Sequence, residues 1–162
     1  MSHERARAAL EALGLDHHIT SHERAGSLAQ AAAERGVSEC DLVKTLVIRR
    51  SKGDYVFVLV PGGREISWPK LRKTLGANRL SMPSAEVAFT ATGYQRGTIT
   101  PFGATTPWPV VADESLAGSA GRRISLGAGE HGKAVTVLAT DALKALDALV
   151  ADVTVPAPPP EK

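Results

Sequence analysis

The sequence predicts an α+β fold: a single compact domain with a central mixed β-sheet flanked by helices. Three observations carry this expectation. Stretches rich in β-branched residues with a period of two are mixed with stretches of helical period, without the regular strand–helix–strand repeat of a doubly wound sheet. The chain has 162 residues, the size of one domain on the usual scale of ~100–200 residues. Its residues are 43% hydrophobic and 22% charged, enough apolar material for a core without disulfide or metal staples, and unlike a disordered chain. We place the domain at residues 1–153 and a Pro-rich flexible tail at 154–162, where Pro156 to Lys162 offers no core-forming side chain.

The elements follow in order. Ser2 to Leu13 reads as a helix capped by Ser2, with Ala6, Ala9, Leu10 and Leu13 on one face and Gly14 as its stop. Leu15 to Thr20 alternates like a short strand. Ser27 to Arg35 reads as a helix capped by Ser27 and ended by Gly36. Leu42 to Arg50 and Tyr55 to Pro61 are β-rich runs joined across Ser51 to Asp54, the clearest hairpin in the chain. Ser67 opens a helix through Leu75 with Pro69 in its first turn and Gly76 beyond its end. Ser84 to Phe89 reads as a short helix and Thr92 to Gly103 as a loop. Val110 to Ala112, Arg123 to Leu126 and Ala134 to Ala139 read as short strands. Thr140 caps a last helix with the stripe Leu143, Leu146 and Val150.

Composition also excludes function classes. Nineteen Lys and Arg against seventeen Asp and Glu leave a net charge of +2, which permits a nucleic-acid partner only through local basic patches. Such patches stand at Arg49, Arg50 and Lys52, and at Lys70, Arg72, Lys73 and Arg79. Aromatic residues make up 4%, too few for a surface of base-stacking platforms. The single cysteine, Cys40, excludes an intramolecular disulfide and reads as a buried or half-buried residue in a reducing compartment. No apolar run nears the ~20 residues that span a bilayer, and the charged start Met1 to Leu10 does not read as a secretory signal. His18 and His22 are four apart in a segment that reads as extended, so no metal set is expected.

Three segments stand out chemically. Period two places Lys44 on one face with Leu42, Leu46 and Ile48. A lysine there either snorkels to water or sits on a rigid strand facing an anionic or carbonyl-bearing ligand. Three glycines and a proline between Gly93 and Gly103 set an unusual backbone path. It is either a tight surface turn or a loop whose free N–H groups hold an oxyanion. Gly127 to Gly132 spells G-x-G-x-x-G, but a strand-like run follows it, and a nucleotide fingerprint needs a helix there. It reads as a hairpin turn lining a cleft.

In order, Val43 to Leu46, Lys70 to Ala77, Thr92 to Gly103 and Ser125 to Gly132 resemble the YbaK/prolyl-tRNA synthetase editing-domain family of aminoacyl-tRNA deacylases. The resemblance spans about residues 10–150. It implies a hydrolase; we expect it to be cytoplasmic, to need no cofactor or metal and, with no coiled-coil run or long edge strand evident, to be a monomer. The substrate would be a mischarged tRNA, with tRNA for proline carrying Ala, Ser, Cys or Thr as the implied range. Its partners would be the aminoacylated 3′ acceptor end and, further, an aminoacyl-tRNA synthetase, with no membrane. The resemblance assigns catalysis to Lys44, Gly97 and Pro101. It assigns substrate binding to Thr45, Gly93, Thr98, Ile99, Thr100, Phe102, Gly103, Gly127, Gly129 and His131. The family also implies that substrate groups such as the 2′-hydroxyl of the terminal adenosine replace a protein base.

Two departures bear on substrate identity. The acidic or histidine residue that several relatives carry past the glycine-rich turn falls on Lys133 or Ala134. The segment Ile19 to Leu28 is short and lacks the aromatics of relatives. The alternative reading is a non-catalytic tRNA- or synthetase-binding module of the same fold, and a nucleotide-dependent oxidoreductase stands behind it.

Overall fold

The computed structural model describes residues 2–22 and 27–158. It contains α1 (Ser2–Ala12), β1 (His17–Ser21), α2 (Leu28–Arg35), β2 (Val43–Ser51), β3 (Asp54–Pro61), β4 (Arg64–Ile66), α3 (Trp68–Leu75), α4 (Ala85–Thr92), β5 (Val110–Asp113), β6 (Arg123–Gly127), β7 (Lys133–Leu138), α5 (Ala139–Ala145), β8 (Leu149–Ala151) and β9 (Thr154–Pro156).

The central sheet is mixed, in the order β2-β3-β5-β8. β2 and β3 pair antiparallel, while β5 runs parallel to both β3 and β8. β3 is buried on both faces, as an inner strand of a covered sheet must be. Its Phe57 and Leu59 join Val43, Val47 and the α1 residues Ala6 and Leu10 in the main core. Its Val56, Val58 and Val60 pack on the other side with Ile48 and Leu71. A second, antiparallel sheet runs β1-β7-β6, and a bridge from Leu42 to Ser125 brings its β6 edge to the start of β2.

The capping residues act as their chemistry dictates. The Ser27, Ser67 and Ser84 hydroxyls accept from the amides of Gln30, Lys70 and Val87, and Gly36, Gly76 and Gly93 close α2, α3 and α4 in the left-handed region. The side chain of Ser2, the expected cap of α1, lies outside the described residues.

The structure corrects several boundaries. α4 continues to Thr92, past Phe89, because only Gly93 supplies the left-handed stop. The last helix runs Ala139–Ala145, so Thr140, the expected cap, lies inside its first turn, and Leu138 takes the cap position without a side-chain bond. Val150, read as part of its stripe, instead lies in β8 with 40% of its surface exposed. The tail expected from 154 begins as β9, whose Thr154 to Pro156 pair with Ile66 to Arg64 of β4; residues 159–162 lie outside the described part. Cys40 is exposed, on a 3-10 turn spanning Glu39–Asp41. Gly127 to Gly132 joins two antiparallel strands, the hairpin that its sequence context indicated. Among the described residues no helix is long and apolar enough to cross a membrane.

Candidate functional site

β2 forms the rim of the candidate site. Its Val43 and Val47 turn into the core, Ile48 turns the other way, and Lys44 is exposed near the strand's first turn. Beside it opens a cavity of about 330 Å³ lined by Leu42 to Val47, Ala88, Gly97, Ile99 and Gly127, with Met82, Arg96 and Arg35 around them. Lys44, Leu46 and Met82 also border a second cavity of about 330 Å³ that continues to Arg64, Glu65, Ile66 and Trp68. Lys44 therefore stands between two hollows, exposed to solvent and bordering both. Thr45 points inward at 9% exposure, and its Oγ1 has no hydrogen-bond partner among the described residues.

The glycine-proline loop forms the facing wall, and α1 holds it there. Arg5 donates to the Gly103 carbonyl at 2.7 Å and to the Gly93 carbonyl at 3.4 Å, and its guanidinium lies 4.7 Å from the centre of the Tyr94 ring. Tyr94 is buried, donates to the Phe102 carbonyl at 2.8 Å, and has its phenol pushed up by burial against the opposing Arg5 charge. Within the loop the Thr98 amide is taken by the Gln95 carbonyl and the Phe102 amide by the Thr100 hydroxyl. Among the described residues the Arg96, Gly97 and Ile99 amides have no partner, and all three residues line the cavity, so its wall offers donors to an oxyanion.

The hairpin packs against this wall from behind. The Gly129 amide donates to the Thr98 carbonyl at 2.9 Å. A Cβ on Gly129 would lie 2.4 Å from the Tyr94 ring, and one on Gly127 would lie 2.9 Å from the Ile99 carbonyl oxygen. Glycine is required at both because backbone or ring occupies the space of a side chain. A Cβ on Gly97 would sit 3.9 Å from His131 Cε1, which places His131 beside the loop. Gly97, Gly127, His131 and Arg35 share a larger, open chamber of about 720 Å³ with Glu130, Gly132 and Lys133. There Glu130 accepts from His3 at 2.9 Å, which holds its carboxyl below the usual range, and Lys133 donates to Ser21 at 2.7 Å.

The structure thus brings Lys44, Thr45, Gly97, Ile99 and Gly127 to one cavity, with His131 in the adjoining chamber. It does not bring Pro101 there. Pro101, Phe102 and Gly103 border a separate cavity of about 230 Å³ against α1, Trp108 and Leu146, because the loop turns into the core at Thr98 to Phe102. Thr98 and Thr100 are buried within the wall, Gly93 is the α4 cap, and Gly129 is a packing position. Of the basic patches, Arg50 pairs with Asp54 at 2.9 Å and Lys70 with Asp152 at 2.9 Å.

Arg35 is the residue that sequence reasoning missed. It lines both the small cavity and the chamber, yet in sequence it reads as an ordinary basic residue in the last turn of a helix. Burial pushes its guanidinium pKa down, against the opposing charge of Glu34.

Among the described residues no carboxylate or histidine lines the small cavity. Among the described residues no cluster of His, Cys, Asp and Glu is arranged to hold a metal ion. What the arrangement offers is a cation on a rigid strand with Arg35 and Arg96 nearby, free backbone amides and largely apolar walls. That set can polarise a carbonyl and place water, without a protein nucleophile.

Comparison with known proteins gives the following. The family model described as the aminoacyl-tRNA editing domain matches residues 22–145. The proline–tRNA ligase of Nitratidesulfovibrio vulgaris is 37% identical over 97 residues, which is 60% of this chain and 17% of the ligase. That of Trichlorobacter lovleyi is 30% identical over 90 residues, 56% of this chain and 16% of the ligase. The chain thus spans about a sixth of the length of the ligases it matches. An Enterococcus faecalis protein, EbsC, whose name proposes a Cys-tRNA(Pro)/Cys-tRNA(Cys) deacylase, is 32% identical over 120 residues, 73% of this chain and 71% of its own. A crystal structure described as a candidate trans-editing enzyme for prolyl tRNA synthetase superposes with a TM-score of 0.84 at 25% identity, covering 95% of this chain and 97% of that one. A hypothetical protein of known structure shares the fold with a TM-score of 0.83 at 24% identity, covering 93% of this chain and 99% of its own.

Proposed function

Since this chain belongs to the aminoacyl-tRNA editing domain family, we propose that it hydrolyses the ester joining a non-cognate amino acid to the 3′ end of a tRNA, acting in trans on tRNA for proline charged with Ala, Ser, Cys or Thr. The observation that carries this reading is the small cavity itself: an apolar hollow of about 330 Å³ with Lys44 on its rim and the free Gly97 and Ile99 amides in its wall. Its volume lies at the low end of the ~300–1,000 Å³ typical of ligand sites, which suits a small side chain.

In this mechanism the amino-acid side chain enters between Val43, Ala88 and Ile99. Water attacks the ester carbonyl, and the oxyanion forms against the Gly97 and Ile99 amides, preset donors that need no reorganisation. The new carbon–oxygen bond replaces the bond to the ribose 3′-oxygen, which leaves as a hydroxyl after taking the water's proton. The neighbouring 2′-hydroxyl relays that proton, in keeping with a cavity lined by no carboxylate or imidazole among the described residues. Lys44 holds the terminal nucleotide between the two hollows, or polarises the carbonyl from there. A synthetase partner fits the likeness to an editing domain that elsewhere forms part of a proline–tRNA ligase.

The test is ester loss from tRNA for proline charged with Ala, Ser, Cys, Thr or Pro, with Lys44→Ala alongside. Selective loss of one or two non-cognate esters, reduced about a hundredfold or more in the variant, is expected. Binding of the charged tRNA without hydrolysis of any ester would favour the non-catalytic module.

A further inference from the structure

We propose that Arg35 forms a phosphate-binding subsite at the junction of the small cavity and the larger chamber, which fixes the 5′-phosphate of the substrate's terminal nucleotide while its acyl group occupies the cavity. This inference rests on the editing reading for its ligand. It rests on the structure for the site.

Three observations carry it. Arg35 lines both hollows, together with Gly97 and Gly127. Its Nε is buried and has no hydrogen-bond partner among the described residues. A buried donor left unpaired carries an uncompensated desolvation cost, and an anion at the fork would remove it. Among the described residues, Glu34 acts on Arg35 through its charge while accepting from Gln30 at 3.3 Å, and Glu130 accepts from His3 at 2.9 Å. Burial lowers the Arg35 pKa, but a guanidinium stays charged at neutral pH. The result is a partly desolvated planar cation with an unpaired Nε, on a residue that lines two adjoining concavities.

The geometry of the substrate matches this. The acyl group hangs on the ribose 3′-oxygen and the phosphate on the 5′-oxygen, so one nucleotide presents both ends of the required span. A guanidinium binds two phosphate oxygens in parallel, which a lysine does not. α2 sets the side chain on a rigid element: Ser27 caps its start, and Gly36, at φ 70°, ends it immediately after Arg35. A purely structural role, the interaction of a cation with the helix C-terminus, would be felt in stability and not in ligand preference.

The experiment titrates the full chain with adenosine 5′-monophosphate and with adenosine, which differ only in the phosphate, and follows binding by calorimetry or amide chemical shifts. The wild type is expected to bind the nucleotide about tenfold tighter or more, the size of one charge-assisted hydrogen bond. Arg35→Gln is expected to bind both alike, and Arg35→Lys, which keeps charge but loses the fork, to fall between. Unfolding midpoints check that each variant folds; if Arg35→Gln does not, Arg35→Lys decides. Equal affinities in the wild type, no measurable nucleotide binding, or an unchanged preference in the variants would overturn the subsite. The readout needs no turnover. A chain that hydrolyses no ester yet keeps an Arg35-dependent phosphate preference would defeat the editing reading and leave the subsite standing.

Discussion

Replacing Gly127 by Ala is a one-carbon change whose effect follows from the packing of β6 against the loop. The added Cβ would stand 2.9 Å from the Ile99 carbonyl oxygen and 3.0 Å from that of Thr98, where ordinary contact begins at 3.4 Å. The loop must therefore retreat by about 0.5 Å, carrying the Ile99 amide away from its place in the cavity wall. A misplacement of 1 Å costs on the order of a hundredfold in rate, so half that distance predicts a loss of about tenfold in kcat. Overpacking of this kind costs about 1–3 kcal/mol of stability. A Gly→Ala change compatible with its backbone would instead add about 0.4–1 kcal/mol through the unfolded chain, so the sign of the change is informative. Single-turnover hydrolysis of the preferred ester and urea unfolding measure the two effects. A Gly127→Ala protein with full rate and equal or greater stability would refute the argument that β6 sets the position of the wall.

Arg5→Ala removes the donor to the Gly93 and Gly103 carbonyls and the cation over Tyr94; a loss of about 1–3 kcal/mol by urea unfolding is expected, together with slower hydrolysis. Ala88→Leu narrows the small cavity from its α4 side, so hydrolysis of the Thr ester should fall more than that of the Ala ester, a ratio read from paired rate measurements. Asp113 is 1% exposed; burial works to raise its carboxyl, but hydrogen bonds from Ser115, Thr154 and the Val153 amide outweigh it and hold the carboxyl below its ordinary value. A lowered folded-state value means stabilisation that is present above the unfolded value of about 3.9 and lost as pH falls through the folded one. Unfolding free energy should decline below about pH 4, and Asp113→Asn should flatten that decline.

The parts of the fold written in local chemistry were legible. Serine caps, glycine stops and the β2–β3 hairpin are decided within a few residues, and the structure follows them. β4, β8 and β9 were not legible, because three residues are too few to show a period and each is a strand only through a partner far along the chain: Ile66 meets Thr154, and Val111 meets Leu149. At the site, Lys44 was conspicuous as a charge among apolar neighbours, and the loop through its glycines. Arg35 carried no such signal, since its significance lies in what it lacks in three dimensions. The loop pattern also overreached: Pro101 belongs to the same motif as Gly97, but the chain turns between them and Pro101 faces another hollow.

The grip of Arg5 on both ends of the loop spans 88 and 98 residues of sequence. During synthesis the first helix therefore emerges long before the segment it must hold, and contacts so distant are entropically slow to close. A chain stopped short of Gly103 would carry β2 and Lys44 but no anchored wall. Removing α1 takes away Arg5 and with it both bonds that hold the loop, so a change far from the hollow in sequence acts on the wall beside Lys44.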